Sequence, residues 1–535
     1  MKKTIALTGL YALLGGCNPQ QSRQEEAGTT QQADSTATDQ SRAAAEPHRP
    51  RFHFTPPAGW MNDPNGMVFH NGEYHLFYQH NPDSTVWGPM HWGHAVSKDL
   101  VQWQHLPIAL YPDSLGTIFS GSAVVDADNT SGLGTAENPP LLAVFTYHSE
   151  KLEKAGRDDF QTQGLAYSTD NGRSWKKYAG NPVLRNTAGI RDFRDPKVFW
   201  HEASRKWIMI LAVKDHVELY GAKDLKSWNK LSEFGKTYGA HGGVWECPDL
   251  FSLPLDGGQK WVMLVSINPG GPNGGSATQY FTGSFDGKTF RPDAPAPTTR
   301  WLDYGKDNYA GVTWANVPAA DGRRLFMGWM SNWQYANVVP TASWRSAMTV
   351  PRELTLQRTP EGVRLLSRPA RELASLRGES VTLKSRSVNG EADLTPEIPF
   401  PATPAEIVLT FDSVQAARDF GVVLSNARGQ QVRIGYEPVA KRFYVDRTGS
   451  GRTDFSKDFA GKHTAPARAA GPVTLHLLVD VASVELFTDD GAVAMTEIFF
   501  PDAPLNQLKL FSQNRPVRLT AGQVTEIRSG VRSKE

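Results

Sequence analysis

From residue 51 onward the chain alternates short apolar runs with turn-forming clusters, at the two-residue period of half-buried strands. The stretches "GMVFHNGEYHLFYQ", "PKVFWHEASRKWIMILAV", "PDLFSLPLDGGQKWVMLVSI" and "AGVTWANVPAADGRRLFMGWM" each read as two strands joined by a short turn, several with Asn-Gly or Asp-Gly at the tip. Between these pairs a second pattern recurs: "SKDLVQW" ending at Trp103, "STDNGRSW" at Trp175, "AKDLKSW" at Trp228 and "SFDGKTF" at Phe290. A strand pair plus an Asp-and-aromatic signature, repeating roughly every 60 residues, is the mark of a β-propeller. Residues 51–367 have room for about five such blades. A TIM barrel would need helical periodicity between the strands, and none is present.

The texture changes after "PREL...LLSRPARELASLRG" (Pro351 to Gly378), which reads as an exit strand and a connector. Residues 368–535 carry further alternating runs, among them "AEIVLTFDSV", "DFGVVLSNARGQQVRIGYE", "SVELFTDDG" and "NQLKLFSQN", without the earlier signature. A β-sandwich of about 150 residues fits them. It holds no compact catalytic constellation, so its expected role is support. The fold class expected is therefore all-β: a five-bladed β-propeller followed by a C-terminal β-sandwich.

The first residues, "MKKTIALTGLYALLGGC", combine two lysines with an apolar run too short to cross a bilayer. Leu14 to Cys17 resembles a lipobox, which implies a signal peptide over residues 1–16 and a lipid anchor on Cys17. Residues 17–50 have almost nothing large and apolar and read as a disordered tether. Such a chain would work outside the cytoplasm, attached to a bacterial membrane, where cytosolic cofactors are excluded. Net charge is +1, which gives no electrostatic case for nucleic acid. Cys247 is the body's single thiol, so no disulfide is expected there. The 15 tryptophans suit sugar stacking, although most are expected in the core.

Three acids stand out by position. Asp63 precedes Pro64, Asp195 precedes Pro196, and Glu246 lies just ahead of Pro248, each at the start of a blade's first strand pair. First strands of a propeller run beside its axis, so matching positions on different blades converge at one mouth. Three carboxylates meeting in aromatic surroundings suit glycoside hydrolysis, in which one acts ionised and another protonated. The third can stabilise the cationic transition state.

"WMNDPNG" (Trp60 to Gly66), "FRDP" (Phe193 to Pro196) and "WECPDLF" (Trp245 to Phe251) resemble the hallmark motifs of glycoside hydrolase family 32, which includes levanases, exo-inulinases and invertases. The resemblance extends from about Arg51 to the C-terminus and implies the same propeller and sandwich. It also implies roles: Asp63 as nucleophile, Glu246 as general acid and base, and Asp195 as transition-state stabiliser beside Arg194. Asn62, Gln79, Trp87, Phe119, Ser122 and Trp333 match positions lining the family's fructose pocket. Trp87 and Trp333 would be apolar walls, while Asn62, Gln79 and Ser122 would bind hydroxyls. Cys247 is expected to tune Glu246 as a small polarizable neighbour.

The implied substrate is a fructan, levan or inulin, cleaved at its terminal fructosyl residue, with sucrose also accepted. "MSNWQYANVVPTASWRSAM" (Met330 to Met348) resembles the exo-acting branch. The other reading is a fructan-binding surface protein with a dead site, which would not need all three acids. His91 and His94 have a spacing seen in metal sites, but on a strand they point to opposite faces. "NPGGPNGGS" (Asn268 to Ser276) lacks the Lys-Ser/Thr of a phosphate loop. No metal or cofactor is implied.

Overall fold

The computed structural model describes residues 46–467 and 471–529. The signal peptide, Cys17 and the tether up to residue 45 lie outside the described residues. Residues 46–50, assigned to the tether by composition, pack onto the body. His48 is buried with its Nε2 3.0 Å from the Pro501 carbonyl, and Arg49 lies over the Trp344 ring.

Five antiparallel sheets surround one axis. Their innermost strands are Gly59–His70, Thr117–Val125, Phe193–His201, Val244–Leu255 and Tyr309–Thr313. Each touches the next, and the fifth touches the first. The seam between fifth and first carries hydrogen bonds from Phe69 N to Ala315 O (2.9 Å) and from Ala315 N to Met67 O (2.9 Å). Trp344–Arg345 then pairs in parallel with Gly59 and Trp60, so the end of the propeller chain closes on its start.

The Asp-and-aromatic signature is the turn between the third and fourth strands of a blade. Asp99, Asp224 and Asp286 each accept two backbone N–H bonds from the residues two and three positions later. Asp170 does similar work from Ser174. The indoles of Trp103, Trp175 and Trp228 donate to the carbonyls three residues back, at 3.0, 3.1 and 3.2 Å. A carboxylate thus satisfies the turn's amides and a ring covers it, so this signature recurs for structural reasons at the rim, far from the axis.

The second domain is a sandwich whose sheets share the long strand Gln507–Ile527. Its first third pairs with Asp419–Ser425 and its last third with Ala405–Asp412. The switch falls at residues 514–516, which pair with neither, with Asn514 in the left-handed region (φ 70°). Leu409, Phe420, Ile434, Leu475, Leu486 and Leu510 fill the space between the sheets.

Buried ion pairs join the domains. Arg352 of the propeller bonds Asp303 and the sandwich's Glu485. His53 sits between Asp480 (2.8 Å) and Glu485 (2.9 Å), all fully buried. The two carboxylates hold the imidazolium against the cost of burial, and His53 is raised to about 9.

Candidate active site

All five inner strands lose register at one level. Residues 62 and 63 together stand opposite Gln79, 119 and 120 opposite Thr146, and 195 and 196 opposite Leu211. Residues 247 and 248 stand opposite Val265, and 310 and 311 opposite Gly328. A bulge of two residues against one bends the strand and re-aims its side chains. Five of them around one axis make a mouth where Asn62, Asp63, Phe119, Ser120 and Asp195 border one cavity of about 410 Å³.

The bulges refine the phase expected for the three acids. Cys247, not Glu246, is the counterpart of Asp195, and both hold positive φ, 45° and 66°. Glu246 lies one residue earlier, level with Arg194 on the preceding blade and Tyr309 on the following one. Being level, these three meet. Arg194 donates to Glu246 Oε1 through Nε (3.1 Å) and Nη2 (2.9 Å), and the Tyr309 hydroxyl donates to Oε2. The left-handed backbone at 195 and 247 costs on the order of 1 kcal/mol each and is held by specific bonds. Asp195 N donates to Thr146 Oγ1 (3.0 Å), and Cys247 N donates to Asp195 Oδ2 (3.0 Å).

Asp63 is held from both sides. Asn62 Nδ2 donates to Oδ1 at 3.0 Å, and Ser120 Oγ donates to Oδ2 at 2.6 Å. Trp60 Nε1 fixes Asn62 in turn, at 2.7 Å. Cys247 Sγ lies 3.5 Å from Asp63 Oδ2 and 3.6 Å from Asp195 Oδ2, so it contacts those two acids instead of Glu246. Burial and the surrounding carboxylates keep this thiol protonated, with its pKa well above the usual range, which makes it a weak donor to both.

Asn62, Gln79, Trp87, Phe119, Arg194 and Trp333 all border the cavity with the three acids. Ser122 does not. It lies two residues further down the strand, below the floor, where its hydroxyl donates to Pro196 O (2.9 Å) and accepts from Val198 N (2.9 Å). Ser120 occupies the place expected of it. Ser120, Tyr309 and the rim group His148, Glu153 and Arg191 were not singled out from sequence. Their signal is the bulge level for the first two, which needs the pairing register. For the rim it is the short helix Glu150–Lys154 inserted in blade 2. Of the 15 tryptophans only Trp87 and Trp333 border the cavity, whereas Trp60, Trp92, Trp245, Trp314 and Trp329 are fully buried. His94 is buried 3.1 Å from His75 Nδ1, and His91 faces the other side of the strand.

The three carboxylates crowd together, with the Arg194 guanidinium acting on Glu246 and Asp195. Burial first, then the charge of Glu246, raises Asp63. Burial raises Asp195 to about 7, with Arg194 opposing and Glu246 and Asp63 adding. The cluster therefore holds a proton near neutrality. One group able to attack while a neighbour carries a proton is the requirement of double displacement at an acetal carbon.

A propeller with such a mouth, walled by tryptophan and with three carboxylates gathered from three blades, defines a glycoside hydrolase. Residues 53–369 match the model of the glycosyl hydrolases family 32 N-terminal domain, and residues 372–527 match that of the family 32 C-terminal domain. A levanase of Bacillus subtilis (strain 168) is 49% identical over 489 residues, 89% of this chain and 69% of the relative. An extracellular exo-inulinase of Aspergillus ficuum is 38% identical over 517 residues, 91% of this chain and 94% of the relative. The crystal structure of an exo-inulinase from Aspergillus awamori superposes with a TM-score of 0.83 at 36% identity, covering 90% of this chain and 99% of that one. The chain belongs to glycosyl hydrolase family 32.

Proposed function

We propose that the protein is a retaining β-fructosidase that removes terminal fructosyl residues from fructans, levan or inulin, and also cleaves sucrose. The observation that carries this reading is the convergence of Asp63, Asp195 and Glu246 from three blades on one cavity. The names of the levanase and exo-inulinase relatives supply the substrate class.

In the first step an Asp63 oxygen bonds to the anomeric carbon of fructose while the bond to the leaving oxygen breaks. Glu246 gives that oxygen its proton. In the second step Glu246 takes a proton from water, whose oxygen replaces Asp63 at the same carbon. Two inversions give net retention. Asp195 accepts bonds from ring hydroxyls that strengthen as positive charge develops. Asp63 and Asp195 at the floor suit the sugar itself. Glu246 has a side chain 19% exposed, on the side from which a leaving group departs and water arrives.

We further propose that the enzyme acts outside the cytoplasm, attached through a lipid on Cys17; the support is the sequence "LGGC" and the polar stretch after it. Membrane-fraction activity that persists in Cys17→Ala would reject the anchor. The test of the substrate reading is a product profile on levan, inulin and sucrose side by side. Free fructose as the first and main product supports it. Mixed oligosaccharides would point to internal cleavage, and no turnover to a binding protein.

A further inference from the structure

The segment that carries Trp333 to the cavity is anchored from the second domain. Two residues after Trp333, the side chain of Tyr335 turns away from the mouth and is buried. Its hydroxyl donates to Asp307 Oδ1 at 2.5 Å and accepts from Arg447 Nη2 of the sandwich at 2.8 Å. Arg447 is itself fully buried, and each of its three nitrogens is hydrogen-bonded. Its Nε donates to Phe459 O (2.8 Å) and its Nη1 to Ile498 O (3.0 Å), with Asp307 and Glu497 as counter-charges. The guanidinium also lies 4.0 Å above the Phe459 ring. Arginine presents this fan of donors in one plane, which lysine cannot reproduce.

On its other side the same segment leads to the acids. Trp333 stacks on Trp60 with ring centres 5.8 Å apart, and Trp60 holds Asn62, which holds Asp63. A second tie runs in parallel. Trp333 N donates to Ser276 Oγ (3.3 Å) in the glycine-rich loop, and Asn273 of that loop donates to Thr464 O of the sandwich (3.0 Å). Asn268, at the start of the loop, borders the cavity.

We propose that Arg447 is a positioning residue for the active site: through Tyr335 it fixes the segment bearing Trp333, and the sandwich thereby shapes the sugar pocket. The domain is then part of the binding site's construction and not a support alone. This inference rests on the cavity being the sugar site, so its test uses one readout that needs no substrate.

Tyr335→Phe removes the hydroxyl and keeps the packing; Arg447→Met replaces the charge with an apolar side chain of similar length. In full-length protein, amide exchange of the peptide spanning residues 330–345 should quicken about tenfold in Tyr335→Phe, with peptides around Asp63 and Asp195 unchanged. KM for fructan should rise about fivefold while kcat changes less than about twofold, since the Trp333 wall is loosened while Asn62 and Ser120 still hold Asp63. Arg447→Met should act in the same direction, and Arg447→Lys should not restore the wild type. Unchanged exchange and unchanged KM in Tyr335→Phe would overturn the proposal. Faster exchange with no fructan turnover by the wild type would uphold the coupling and reject the substrate reading instead.

Discussion

Arg194 and Glu246 form an ion pair across two blades, Nη2 to Oε1 at 2.9 Å, at the lip of the cavity. The pair exists because both residues immediately precede a bulge at the same level. Arg194 is also the charge that lowers Asp195 against burial and the two other carboxylates, helped by the Cys247 amide. In Arg194→Met the cluster should keep its proton to higher pH. The acid limb of kcat/KM, set where Asp195 ionises at about pH 7 in the wild type, should move upward, and kcat should fall by about 100-fold or more. A pH–rate profile checks both, and a limb that stays in place would detach Arg194 from the proton.

Ser120 and Ser122 make a matched pair, because the two serines sit two residues apart and do different work. Ser120→Ala removes a 2.6 Å donor to Asp63, and hydrogen bonds to charged groups are worth about 1.5–3 kcal/mol. A drop of roughly tenfold to 100-fold in kcat/KM is expected, with little change in melting temperature. Ser122→Ala strands the Pro196 carbonyl and the Val198 amide, so it should cost about 1–3 kcal/mol of stability and little activity.

Asp195 is kept for function at a cost to the fold. Its folded pKa of about 7 exceeds the ordinary 3.8, so the folded state binds more protons and stability falls as pH rises between those values. Asp195→Asn should abolish most activity yet raise the melting temperature at pH 8. At pH 4, where the wild-type carboxyl is already largely neutral, the two should melt together.

His53 works with the opposite sign. Raised from 6.5 to about 9 by Asp480 and Glu485, it contributes stability in full below pH 6.5 and loses it as pH climbs through about 9. His53→Gln leaves the buried Asp480 without a cation and Glu485 with Arg352 alone, and should destabilise by about 3–5 kcal/mol at pH 6. Melting curves at pH 6 and pH 9.5 should show the gap between variant and wild type closing at the higher value.

The blade count and the three acids were legible because each leaves a local mark: a turn that needs Asp and a ring, and a carboxylate beside a proline. The bulges were not. A two-against-one pairing depends on the partner strand, and Phe119-Ser120 carries no compositional sign of it. The family resemblance points to Ser122 where the mouth has Ser120, and counting along the strands sets Glu246 level with Asp195. The alternating pattern marks the last sandwich strand only over "NQLKLFSQN", and Pro516 beyond it is a residue that normally ends a central strand. Here it falls in the unpaired switch between sheets, where no amide is needed.

The central claim is that Asp63 attacks the sugar. Glu246→Gln should slow release of the intermediate, while a fructosyl fluoride, whose leaving group departs without a proton, still forms it, so acid-quenched protein incubated with that donor and digested should carry one fructosyl unit on the peptide containing Asp63. Finding that peptide unmodified while the unit appears on Asp195, or nowhere as the α-anomer of fructose accumulates, would contradict the account.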